Sequence, residues 1–169
     1  MKYKTIYADP PWNESGGGKI KRGADKHYPL MKTKEILEMS KWIDDISDEN
    51  CHLYMWTTNN HLPDALKVVD GWGFRYITMI TWTKDRFGLG QYFRGQTEHC
   101  IFAVKGKLPY KTIEGKRQQG TTSIISPRLE HSRKPDEMYE YIEKVSYPPY
   151  IELFARRRRD NWDSWGNQV

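Results

Sequence analysis

A chain of 169 residues, 29% charged and 37% hydrophobic, has the proportions of one folded domain that buries about two-thirds of its unfolded surface. Its net charge of +5 and pI near 9.1 suit a polyanionic partner, and an aromatic content of 14% adds rings on which bases stack. No apolar run reaches the roughly 20 residues that span a bilayer, the start MKYKTIYADPP lacks the apolar core of a signal peptide, and two cysteines with five scattered histidines offer no metal-ligand spacing. Cys51 and Cys100 sit inside apolar, strand-like runs, as buried thiols do in a reducing cytoplasm.

In chain order, Tyr3 to Ala8 (YKTIYA) alternates like a strand and ends in Asp9-Pro10-Pro11-Trp12. A polar, glycine-rich stretch from Asn13 to Lys26 follows. It lacks the Gly-Lys-Ser/Thr ending of a phosphate-binding loop and reads as a surface loop or as a flap closed by His27-Tyr28-Pro29. Thr33 caps a short helix from Lys34 to Ser40. Cys51 to Thr57 (CHLYMWT) is a buried strand. A helix over His61 to Val69 carries Leu62, Ala65, Leu66 and Val69 at i, i+3, i+4 and i+7, and Gly71 stops it. Phe74 to Thr83 and His99 to Val104 are strands, separated by a Gly/Arg-bearing loop from Lys84 to Gly95. Gly106 to Gly120 is a basic connection, and Thr121 to Ile125 is briefly extended. A helix begins near Pro135 with Met138, Tyr141, Ile142 and Val145 as its buried stripe. Tyr150 to Phe154 (YIELF) is a final strand before Ala155, four arginines and NWDSWGNQV. Strands alternating with helices predict an α/β fold, a mainly parallel twisted sheet covered on both faces, with ligands bound beyond the carboxyl ends of the strands.

The tetrad Asp9-Pro10-Pro11-Trp12 is the strongest local signal. Each proline fixes φ and removes an N–H donor, and each holds its predecessor extended, leaving a rigid row of carbonyl acceptors with no local amide to satisfy. It reads either as a strand ending in a proline turn or as a site for a planar ring that carries an amino group. The exocyclic amine of adenine is such a group. Its lone pair is delocalised, and a carboxylate (Asp9) with a carbonyl (Pro10) accepting both N–H bonds draws it toward a localised, tetrahedral form. An ordinary Asp, with pKa of about 3.9, serves as that acceptor, Trp12 supplies a stacking face, and an in-line methyl donor completes the chemistry by positioning.

DPPW after a strand, followed in order by HYPLM, LYMWTT, GWGFR, ITWTK, EHCIFAVKG, SRKPDEMYEYIE, IELFARRRRDNW and WGNQ, resembles the N6-adenine methyltransferases of the MT-A70-like family over nearly the whole chain. The resemblance implies a Rossmann-like fold using S-adenosylmethionine, in permuted order with the catalytic strand first and the cofactor strand last. It assigns catalysis to Asp9, Pro10, Pro11 and Trp12, with Asp9 and Pro10 close to the cofactor as well. Lys134, Glu152, Phe154, Arg156, Asn167 and Gln168 match cofactor positions. Trp12, Tyr28, Trp82, Lys84 and Glu98 match substrate positions. The implied reaction is methylation of the N6 amine of adenine in nucleic acid, with DNA ahead of RNA. The alternatives are an RNA enzyme, a catalytically silent nucleic-acid-binding subunit, or methylation of another amide-like amine.

Three departures from the family's pattern stand out. Only eight residues precede Asp9, so the acidic segment that some members place against the cofactor's adenine is expected to be absent, with Ser123 to Ile125 expected in its place. The stretch after Arg156 is short and basic, divided between a solvated flank and phosphate contacts. No sizeable insert forms a separate target-recognition domain, so the chain is expected to be a single methyltransferase domain, with a homodimer or a related subunit as a possible partner. Trp72 is expected in the core.

Overall fold

The sheet is built on the first strand. In the computed structural model, which describes residues 2–13, 30–107, 110–130 and 133–169, β1 (Tyr3–Ala8) runs parallel both to β2 (Ser47–Thr57) and to β8 (Tyr150–Leu153), with Ala8 level with Met55 on one side and Leu153 on the other. Beyond β2 lie β4 (Thr97–Lys105), β3 (Arg75–Thr83) and the short β7 (Ser123–Ile125); beyond β8 lies β9 (Trp162–Trp165). The order is β7-β3-β4-β2-β1-β8-β9. Only β4 runs against its neighbours, and the other contacts in this sheet are parallel. A separate two-stranded ribbon, β5 (Thr112–Ile113) with β6 (Lys116–Arg117), interrupts the basic connection.

Alternation along the strands divides the core by face. Ile6, Ala8, Leu53, Met55, Ile151 and Leu153 point one way, against Ile36 of α1 (Thr33–Leu37), Ile43 of α2 (Ser40–Ile46) and Ala65, Val68 and Val69 of α3 (Leu62–Gly71). Tyr7, Tyr54, Trp56 and Tyr150 point the other way, against Met138, Tyr139 and Ile142 of α4 (Glu137–Val145). The connection after β1 therefore covers one face and the helix preceding β8 covers the other. This reversal between β1 and β8 opens a crevice outside the carboxyl ends of the two strands, the usual ligand position in such sheets.

Several expectations shift. Lys32, not Thr33, is the N-cap of α1, and α2 follows as a helix of its own, where Ile43 and a partly buried Trp42 supply the apolar face. On α3 the buried residues are Ala65, Val68 and Val69, whereas Leu66 is exposed; the stripe keeps Ala65 and Val69 and turns from Leu66 toward Val68. On α4, Tyr139 is buried on a face shared with Ile142 at i, i+3, while Tyr141 is partly buried against the same cluster. The polar-looking WDSW closes the sheet as β9, so a short strand follows β8. Trp72 is buried, and its indole N–H donates to the Ile36 carbonyl. Both cysteines are buried and free. No described helix is long and apolar enough to cross a membrane.

Candidate active site at the carboxyl ends of β1 and β8

The tetrad leaves β1 as predicted, but its carbonyls are partly occupied. The Pro10 carbonyl accepts the Trp12 N–H at 2.9 Å, and the Pro11 carbonyl accepts the Met31 N–H at 2.8 Å. The expectation of wholly unsatisfied acceptors is thus corrected: each of these carbonyls keeps one lone pair. The Met31 contacts pin the motif to the residues before α1, because Asn13 N–H also donates to the Met31 carbonyl.

Trp12 is only 8% exposed. Its indole N–H donates to the Trp56 carbonyl at 3.1 Å, and its ring lies parallel to His61 at 6.1 Å. His61 in turn bonds the Asn13 carbonyl and the Thr58 hydroxyl. One face of Trp12 is therefore turned to His61 and its N–H to the Trp56 carbonyl. Trp82 is likewise turned into the fold. It is 1% exposed, edge-on to Trp56, with its N–H donated to the Ser126 carbonyl. Tyr28 lies outside the described residues, as does the glycine-rich stretch after Asn13.

Asp9 sits at the head of a chain of alternating charges. Its Oδ2 is 3.6 Å from Lys134 Nζ, Lys134 is 3.1 Å from Glu98 Oε1, and Glu98 Oε2 is 2.6 Å from Lys84 Nζ. Burial raises the Asp9 pKa, Glu98 adds to the rise, and Lys134 and Arg156 hold it back. For Glu98 burial works in the same direction, but Lys134 and Lys84 together outweigh it and keep its carboxyl below the ordinary value. Lys134 and Lys84 also lie 5.7 and 4.9 Å from the centres of the Trp56 and Trp82 rings, an arrangement that stabilises their charges.

Two recesses meet at Asp9, Phe154 and Arg156. The larger, about 260 Å³, is walled by Pro11, Met31, Trp165, Gly166 and Asn167. The narrower one reaches Lys134, Arg133, Tyr139 and Glu152. Their combined size falls near the lower end of small-molecule sites, about 300 Å³. Phe154 turns into the crevice at φ 60°, directly after β8, and its ring meets Trp165 edge-on. Gly166 is required by a close approach, since a Cβ there would stand 2.8 Å from both the N and the O of Ala155.

Sequence reasoning thus places Asp9, Lys134, Glu152, Phe154, Arg156 and Asn167 around one crevice. Gln168 is exposed beyond it. Ser123 to Ile125 are not near it: β7 forms the opposite edge of the sheet from β9, so the expectation that they line this crevice is corrected. Of the outer arginines, Arg157 pairs with Asp136 at 3.1 Å and Arg159 packs on the Tyr139 ring at 4.2 Å. Those two are engaged on α4. Tyr139, Arg133 and Trp165 were missed; their i, i+3 spacing to Ile142, place beside Lys134 and place beside Gly166 were the available signals.

The crevice suits a ligand with an amino-acid end and an aromatic end: cation and carboxylates converge at Lys134, Asp9 and Glu152, while rings and an amide converge at Phe154, Trp165 and Asn167. A family model described as MT-A70 matches residues 3–168. The chain belongs to the MT-A70 family. Among its relatives, the type II methyltransferase M.MunI of Mycoplasma sp is 32% identical over 188 residues, covering 99% of this chain and 78% of that one. A putative N(6)-adenosine-methyltransferase MT-A70-like protein of Medicago truncatula is 28% identical, and the chain spans 26% of its length. The N(6)-adenosine-methyltransferase catalytic subunit METTL3 of Homo sapiens is also 28% identical, with 28% of its length spanned. The MT-A70 match runs from β1 to the residue after Asn167, so every described member of the crevice falls inside it.

Proposed function

We propose that this MT-A70 protein is an S-adenosylmethionine-dependent methyltransferase acting on the N6 amine of adenine in nucleic acid, with DNA as the first substrate. The observation that carries the proposal is the position of Asp9. It stands where the two recesses meet, at the end of the strand where the sheet's connections change face, with the Pro10 carbonyl beside it. S-adenosylmethionine, when bound, supplies an electrophilic methyl group on a sulfonium. Glu152 and Lys134 fit its ammonium and carboxylate, and Phe154, Trp165 and Asn167 fit its nucleoside.

Asp9 accepts one N–H of the target amine, and the remaining lone pair of the Pro10 carbonyl accepts the other. This draws the nitrogen lone pair out of the ring. Lys134, at 3.6 Å, favours the ionised form of Asp9 against the effect of burial. After transfer the methylated amine is acidic, and Asp9 is the nearest acceptor for its proton. In duplex DNA the base must leave the stack to reach this depth. DNA ranks ahead of RNA because the match to the type II methyltransferase spans most of both chains, whereas the N(6)-adenosine-methyltransferases are matched over 26% and 28% of their length.

The test is transfer of a labelled methyl group to DNA and RNA oligonucleotides, with mass analysis of the nucleosides. N6-methyladenine is expected from the wild type and at least a hundredfold less from Asp9→Ala, a loss of about 2.7 kcal/mol or more of transition-state stabilisation. Methyl transfer that survives Asp9→Ala, or a product other than N6-methyladenine, would refute the reading.

A further inference from the structure

Between β3 and β4 the chain projects a tongue, residues 84–96, which none of the chemistry above uses beyond its first residue. It is tied by its own bonds. Lys84 N–H donates to the Gln96 carbonyl and the Gln96 amide returns a bond to the Lys84 carbonyl; Gly88 N–H reaches the Gly95 carbonyl, and Gly95 N–H reaches that of Leu89. Gly90 permits the tip, because a Cβ there would stand 2.1 Å from the Phe93 carbonyl oxygen. The base is fastened to the following segment by the Arg128 N–H, which donates to Asp85.

This ordered tongue presents apolar surface to solvent. Phe87 is 54% exposed, Leu89 63%, Phe93 87% and Tyr92 fully. One such side chain is ordinary on a protein surface, but four within seven residues mark an interaction surface. Tyr92 holds φ at 59°, a conformation disfavoured for a bulky residue. Arg94 lies 4.3 Å from the Phe87 ring centre and donates to the Gly88 carbonyl, bracing the inner ring while Tyr92 and Phe93 stay outside.

Charge and place select the partner. The tongue holds Lys84, Arg86 and Arg94 against a single acid, Asp85, which lies 3.8 Å from Arg86. A second copy of the chain, itself at +5, would set these arginines against each other across a two-fold contact. A strand of phosphates and bases matches both the arginines and the flat rings. The base of the tongue is linked to the crevice by ion pairs, since Lys84 meets Glu98, Glu98 meets Lys134, and Lys134 meets Asp9.

We propose that Tyr92 and Phe93 stack on bases of the substrate strand flanking the target adenine, while Arg86 and Arg94 meet its phosphates. The proposal rests on the nucleic-acid reading above and supplies the open stacking rings that buried Trp12 and Trp82 do not.

The test uses the full chain and a single-stranded DNA oligonucleotide carrying 2-aminopurine next to the target adenine, with the matching RNA and duplex as further probes. Wild type is expected to quench the fluorescence on binding. The double variant Tyr92→Ala/Phe93→Ala should lose about tenfold or more in affinity, with unchanged S-adenosylmethionine affinity by calorimetry and unchanged Tm. Arg86→Gln/Arg94→Gln should lower the slope of log affinity against log salt by between about one and two. Affinity within twofold of wild type in the aromatic variant overturns the proposal. So does a variant that keeps its affinity but changes from dimer to monomer by light scattering, which assigns the tongue to a protein partner. The two readings separate cleanly. Loss of binding without N6-methyladenine from the wild type leaves the tongue standing and removes the adenine chemistry, whereas equal methylation by wild type and variant does the reverse.

Discussion

Tyr139 donates its phenolic hydrogen to Glu152 Oε1 at 2.6 Å, which ties α4 to β8 inside the narrow recess. Burial pushes the Glu152 carboxyl from 4.5 up to about 7, the negative charge of Asp9 adds to the rise, and the Tyr139 bond with Arg157 and Arg159 restrains it. A carboxyl raised in the folded state holds its proton more tightly folded than unfolded. Its stabilising contribution is full below about pH 4.5, declines as pH rises, and is gone above about 7. The span corresponds to something on the order of 3 kcal/mol. Urea denaturation at pH 5 and pH 7.5 should therefore show a smaller pH-dependent loss of stability in Glu152→Gln than in wild type. Equal losses would remove Glu152 as the source.

A ligand ammonium in the same recess needs the carboxylate form. S-adenosylmethionine binding at pH 6 should then expel a proton from Glu152. Calorimetry in two buffers of different ionisation enthalpy reads this directly: the apparent heats should differ for wild type and coincide for Glu152→Gln. Heats independent of buffer in the wild type would place the ammonium elsewhere.

Lys134 serves two carboxylates at once, Asp9 at 3.6 Å and Glu98 at 3.1 Å. In Lys134→Met, Asp9 keeps only the attraction of Arg156 against burial and Glu98. Its pKa rises further, so the acidic limb of the single-turnover rate should move to higher pH. Measured at saturating cofactor from pH 5 to 9, an unmoved limb would show that Asp9 ionisation does not govern the step.

The fold was legible where period and length agreed. β1, β2, β3 and β4 carry β-branched and aromatic runs: β1 has the expected bounds, β3 starts one residue later, and β2 and β4 are longer by four and three residues. Short elements escaped: α2 has a single fully buried residue, Ile43, and β9 is a polar segment whose strand geometry comes from pairing with β8 rather than from its own propensity. The crevice was legible because Asp9, Lys134, Glu152 and Asn167 sit in ordered motifs. The environments of Trp12 and Trp82 were not, since a tryptophan beside a catalytic acid and one inside a core have the same local sequence. Only the register of β1 against β2, which sets Ala8 level with Met55 and brings Trp12 to the Trp56 carbonyl, distinguishes them.

That placement of Trp12 has a measurable consequence. Trp12→Phe removes the N–H that satisfies the Trp56 carbonyl at 3.1 Å, a loss of about 1–3 kcal/mol where the group stays buried, and Trp12→Ala should cost about 3–5 kcal/mol. Thermal or urea denaturation without any substrate reads both. A tryptophan held in place only to stack a base would leave these stabilities at the wild-type value.

Gly166 gives the sharpest steric prediction for the cofactor side. A methyl group there meets the Ala155 backbone at 2.8 Å on two atoms, and Ala155 N–H is already bonded to the Trp165 carbonyl at 3.0 Å. Backbone on both sides leaves no flexible side chain to yield, so Gly166→Ala must shift the β9 end outward and carry Asn167 and Trp165 away from Phe154. Overpacking of this kind costs about 1–3 kcal/mol. The site effect should exceed the fold effect: S-adenosylmethionine affinity is expected to fall at least tenfold at a temperature where far-ultraviolet circular dichroism still reports a folded chain. If Gly166→Ala binds the cofactor as wild type does, the wall formed by Trp165, Gly166 and Asn167 is not part of the binding site.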